Sequence, residues 1–197
     1  SMVDDNILLE CENETITAVH NGDEVLDQND VLGFYLHFLP TGSYETALAY
    51  SDEPVFTFDT AVVNTGTTYF LCVAVGDDDG TGSPDPTDQC FLTGNCTQIF
   101  WYPLPEVAVS GTTTICEGET TQVNFSMSGV PPFSVDYTEN GFPQNIVVWQ
   151  GDTSIDLTPT APVDINLLSI SVTFVRLFRY NPPPLGALLL LITVFCI

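Results

Sequence analysis

Positive charge is almost missing from this sequence. It has no lysine, and its two basic residues, Arg176 and Arg179, face 26 Asp and Glu, for a formal net charge of −24 over 197 residues. A nucleic-acid binder needs basic side chains to displace counterions from phosphates, so that class is excluded. Anionic membrane surfaces repel such a chain as well. Histidine is scarce. His20 and His37 lie far apart in sequence, and with no Cys-x-x-Cys pair and no Cys/His cluster there is no zinc signature. The two histidines read as strand-surface or core residues, not as catalytic bases. Nucleophile-elbow, phosphate-loop, His-Glu-x-x-His and dinucleotide fingerprints are all absent, so the chain is expected not to be an enzyme. Long apolar runs are lacking too. The 13 residues Leu185–Ile197 fall short of the roughly 20 that a helical span requires, so no stable membrane span is expected.

What is present is β-structure. The chain is 44% hydrophobic and 11% aromatic, which argues against disorder. Val31–Leu39 alternates, with Phe34, Leu36 and Phe38 on one face. Thr67–Val75 puts Tyr69, Leu71, Val73 and Val75 on one side and Phe70, Cys72 and Ala74 on the other. Further strands are expected at Val55–Phe58, Gln98–Tyr102, Thr120–Met127, Phe133–Thr138, Ile146–Trp149, Ser154–Leu157 and Ile165–Phe174, punctuated by Asn-Gly, Thr-Gly and Pro-Pro. No segment carries a capped 3.6-residue period. The pattern indicates an all-β sandwich fold.

An internal repeat sets the module length. Cys11-Glu-Asn-Glu-Thr15 recurs as Cys116-Glu-Gly-Glu-Thr120, at a domain-sized interval and each time ahead of a period-2 stretch. The stiff Trp101-Tyr-Pro-Leu-Pro105 reads as the joint. The expected units are a first module at 1–105, a second at 106–173 that is short of its final strands, and an atypical apolar tail at 174–197. A truncated or out-of-frame end accounts for that tail better than a lipid-anchor signal, whose spacer is missing. Ser1-Met2 reads as a cloning scar on a fragment.

The sharpest motif is Asp77-Asp-Asp-Gly-Thr-Gly-Ser-Pro-Asp-Pro-Thr-Asp88. Asp77, Asp79, Thr81, Asp85 and Asp88 fall at positions 1, 3, 5, 9 and 12 of a Ca²⁺ loop, Gly82 falls at 6, and Ser83 at 7 offers its carbonyl. Crowded carboxylates repel until a divalent cation neutralises them. No helices flank the loop, so it is not an EF-hand domain. A solvated acidic hairpin tip is the competing reading. Six cysteines point to an oxidising compartment. A Cys90–Cys96 bridge is expected to clip the loop's exit and a Cys11–Cys72 bridge to join the sheets, which leaves Cys116 without a partner.

Taken together, Tyr69–Cys90, Trp101–Pro105 and Thr114–Thr120 resemble the Ig-like and PKD-like repeat modules of very large secreted surface proteins of Bacteroidota, of the gliding-motility-associated or adhesin-like kind. The resemblance implies an extracellular structural or adhesive array, secreted or held at the cell surface. Its partners would be neighbouring modules of the same long chain and, beyond them, surface glycans or other cells. Asp59-Thr60-Ala61 also resembles that phylum's short O-glycosylation signal. Exposed aromatics at Trp101, Tyr102 or Trp149 would instead make the chain a carbohydrate-binding module of a secreted protein.

Overall fold

A computed structural model describes residues 1–2, 7–111, 114–180 and 188–196, the backbone alone from 174 onward. Thr113 of the second repeat copy and the Pro182–Pro184 run lie outside the described residues, as does the start of the apolar tail at 185–187. The chain is all-β. It divides into two compact units, Ser1–Tyr102 and Pro103–Ile197. The division falls inside the expected joint, with Trp101 in the first unit and both joint prolines in the second.

In the first unit the strands are β1 (Leu8–Cys11), β2 (Thr15–Thr17), β3 (Asp30–His37), β4 (Ala49–Ser51), β5 (Val55–Thr57), β6 (Thr68–Asp77) and β7 (Leu92–Tyr102). They form a five-stranded sheet, ordered β1-β7-β6-β3-β4, and a two-stranded β2-β5 layer. Successive side chains on a strand point to opposite faces, so β3 and β6 each feed two cores. Phe34, Leu36, Leu71 and Val73 join Ile99 and Trp101 in packing against Ile16 and Phe56 of the small layer. The intervening Tyr35, Cys72 and Ala74 face the other way and are covered by Tyr44 from a short 3-10 turn and by Phe91. Trp101 is completely buried, and its indole N–H donates to the carbonyl of Glu14 (3.2 Å). Phe38 departs from the expected apolar face: β3 ends at His37, and Phe38 is exposed with its ring edge on Tyr69. His37 is buried, with Nδ1 accepting the Leu39 N–H (2.9 Å).

The second unit is a sandwich of β12-β9-β8 against β11-β10-β13-β14. Its strands are β8 (Glu106–Ser110), β9 (Thr121–Ser128), β10 (Phe133–Glu139), β11 (Phe142–Val148), β12 (Thr153–Leu157), β13 (Ile165–Tyr180) and β14 (Leu188–Cys196). Phe125 and Val123 of one sheet pack on Val135 and Tyr137 of the other. The tail does not stand apart from this unit. β13 runs past Phe174 to Tyr180, and β14 pairs antiparallel with it from Val172↔Cys196 to Tyr180↔Leu188.

The two repeat copies form the same turn. Glu14 N–H donates to the Cys11 carbonyl (3.0 Å), and Glu119 N–H donates to the Cys116 carbonyl (3.1 Å). The variable residue between the glutamates has positive φ in both, 71° at Asn13 and 83° at Gly118. Only Gly and Asn take up that conformation readily, which explains which residues occupy the one position where the copies differ.

The disulfide differs from the expected pairs. Cys72 is bonded to Cys96, directly opposite it on the neighbouring strand (Cα–Cα 4.0 Å), while Cys90 and Cys116 are free and exposed. Cys11 is also in a disulfide, though not with Cys72. The reason is register. The β6–β7 hairpin turns around Pro84, which places residues 72 and 96 across from one another, and Cys90 belongs to the loop. The bridge closes a 24-residue separation, worth about 3 kcal/mol if it acts by restricting the unfolded chain. Cys72→Ser/Cys96→Ser is therefore expected to lose about 3 kcal/mol in non-reducing urea unfolding, and Cys90→Ser to leave the midpoint unchanged. A loss in Cys90→Ser equal to that of the double variant would contradict the pairing.

Candidate cation-binding hairpin

β6 ends at Asp77, and the connection to β7 folds back over the sheet. Asp85 N–H donates to the Asp77 carbonyl (2.7 Å), Asp79 N–H to the Ser83 carbonyl (2.9 Å), and Asp78 and Pro84 form an isolated bridge. Pro84 is fully buried against Gly33, where an added Cβ would come within 2.8 Å of the proline ring. Glycine in β3 thus gives the loop its seat. The turn itself is made at Gly80 and Gly82, both with φ near 90°, a conformation that side-chain-bearing residues resist.

The loop's acids fall into two sets. At the tip, carboxylates fold onto their own backbone. Asp78 Oδ1 accepts the N–H groups of Gly80 and Gly82 (both 2.8 Å), and Asp79 Oδ1 accepts the N–H (2.7 Å) and hydroxyl (2.6 Å) of Thr81. These bonds hold the Asp79 carboxyl below its ordinary range. Asp85 does the same with the N–H and hydroxyl of Thr87 (2.8 and 2.7 Å).

At the base the acids meet one another. Asp30, the first residue of β3, stands directly across the ladder from Asp77. Like charges in that position destabilise a sheet. Asp27 completes the group: its backbone N–H donates to Asp30 Oδ2 (2.9 Å), and one carboxylate oxygen each from Asp27, Asp30 and Asp77 lies within 4.8 Å of the others. Asp88 is adjacent, its Oδ2 accepting the Cys90 N–H (3.1 Å). Desolvation first, then the charges of Asp88, Asp27, Asp30 and Asp85, push the Asp77 carboxyl above its ordinary value. The Cys90 thiol is pushed up too, chiefly by Asp88.

Of the residues expected at the loop, the structure brings Asp77, Asp85 and Asp88 into electrostatic reach of one another. It turns Asp79 and Thr81 onto each other and places the Ser83 carbonyl on the Asp79 amide. Asp27 and Asp30 were not among the expected ligands. They lie some fifty residues upstream and arrive through β3–β6 pairing, and their signal was the acidic run Asp23–Asp30 immediately before a strong strand. Oxygen donors bearing formal charge, with one pair opposed on a ladder, suit a hard divalent cation. No protein-family model and no curated protein matches this chain.

A raised carboxyl destabilises the fold once it is ionised, so its cost is absent below the unfolded pKa and is fully present above the folded one. Asp77→Asn is thus expected to raise the melting temperature of the metal-free protein at pH 7, with a gain that shrinks as pH falls through the carboxylate range. Melting in chelator from pH 7 to pH 3 checks this. A pH-independent change would contradict it.

Proposed function

We propose that the chain is a stretch of Ig-like or PKD-like β-sandwich modules from an extracellular structural or adhesive surface protein, its first module stiffened by Ca²⁺ at the base of the Asp77–Asp88 hairpin. The observation that carries this reading is the meeting of Asp27 with Asp30 and Asp77, the latter two held in register across β3 and β6, with Asp88 beside them. Bound Ca²⁺ would tie the β2–β3 connection to the hairpin and so couple two loops at one end of the sheet.

The Cys72–Cys96 bridge supports an oxidising compartment, where Ca²⁺ is abundant and sites with dissociation constants of about 10⁻⁴–10⁻³ M suffice. Burial of Trp101 in the first core favours a scaffold, whereas Trp149, 73% exposed, is the aromatic that would serve the alternative of a module stacking sugars. Such a scaffold would act through its neighbours in the parent chain and through the glycans or cells that the array meets.

Thermal melting in Ca²⁺ and in chelator tests the reading. At a hundred times its dissociation constant, a cation that binds only the folded state adds about 2.7 kcal/mol. The wild type should melt higher in Ca²⁺, and Asp30→Asn/Asp77→Asn should lose that response. Identical wild-type curves would remove the ion from the account.

A further inference from the structure

A second cluster sits away from the hairpin and differs from it in chemistry. His20, Asp23 and Glu24 each offer one ligand atom, an imidazole nitrogen and two carboxylate oxygens, all within 4.8 Å of one another. They border a cavity of about 180 Å³ with an apolar wall that includes Leu32, Val73 and Leu92. The imidazole is well fixed. Its side chain is only 10% exposed, its ring packs edge-on to Phe34 (5.6 Å), and its backbone bridges to Met2.

A further observation points to a cation in this place. Glu24 Oε2 is buried without a hydrogen-bond partner, 3.4 Å from His20 Nε2. A buried carboxylate oxygen left in that state is costly, and a metal ion between it and the imidazole would remove the cost.

We propose that His20 Nε2, Asp23 and Glu24 form a site for a borderline transition-metal dication of the Zn²⁺ type. Imidazole and carboxylates together select such an ion over Ca²⁺, which prefers an all-oxygen shell. Three side chains leave a fourth tetrahedral position. Water fills it. With Nε2 on the metal the ring proton resides on Nδ1, and the 3.3 Å bond from the Gly22 N–H to Nδ1 is exchanged for water at an exposed residue.

Calorimetric titration of the full chain with ZnCl₂ tests the site. It is done in saturating Ca²⁺ and in a Cys90→Ser/Cys116→Ser background, which removes the two free thiols among the described residues. One Zn²⁺ per chain is expected. His20→Gln and Glu24→Gln should each weaken binding at least tenfold, and Asp30→Asn/Asp77→Asn should leave it unchanged. If His20→Gln fails to fold, Glu24→Gln carries the test, because that side chain is 21% exposed. No uptake by the parent, uptake unaltered in Glu24→Gln, or uptake lost in Asp30→Asn/Asp77→Asn would each overturn the proposal. The Ca²⁺ melting response is read separately, so either metal can fail without the other.

Discussion

Crowded negative charge with almost nothing basic to relieve it confronts a hydrophobic register that cannot yield. β3 and β6 are aligned by Phe34 opposite Val73 and Leu36 opposite Leu71, all buried in one core. A one-residue slip would turn those side chains to the opposite face. Burial of each is worth roughly 1.5–3 kcal/mol, whereas two exposed charges 4 Å apart in water repel by about 1 kcal/mol. Packing wins, and the same register that aligns the core sets Asp30 across from Asp77. The acids meet because the apolar residues further along their strands must.

Other carboxylates escape this conflict by geometry. Asp78, Asp79 and Asp85 sit where the chain turns, and each reaches amide hydrogens two to four residues ahead. Such local bonds satisfy an isolated aspartate well, and they also commit it. Asp30 and Asp77 stand at strand ends, where the ladder fixes their direction, and Asp27, whose Oδ1 accepts the Asn29 N–H (2.8 Å), joins them from the β2–β3 connection. The hairpin base is therefore a place, among the described residues of the first unit, where the fold concentrates acidic charge. The Cys72–Cys96 bridge and the seating of Pro84 on Gly33 hold that base on either side.

Much of this architecture was legible in the sequence, because strand alternation is a local signal. The two faces of Thr67–Val75 were readable directly, and so was the repeated Cys-Glu-x-Glu-Thr, whose shared turn accounts for Asn13 and Gly118. What escaped reading was non-local. The disulfide depends on where the β6–β7 hairpin turns and on the register shift between Cys72 and Ala74, neither of which cysteine spacing reveals. Asp27 and Asp30 join the hairpin only through strand pairing. β8 is short and follows a proline. β14 lies in a segment whose composition breaks with the rest, yet it pairs with β13 through nine consecutive positions.

The account stands or falls on what lies among three carboxylates. Crystals grown in millimolar Ca²⁺, with anomalous data collected at long wavelength, address it directly. The account predicts one strong anomalous peak bounded by Asp27, Asp30 and Asp77, with Ca–O distances of about 2.3–2.6 Å. Ordered water alone, with the three side chains turned away from one another at that Ca²⁺ concentration, would contradict it.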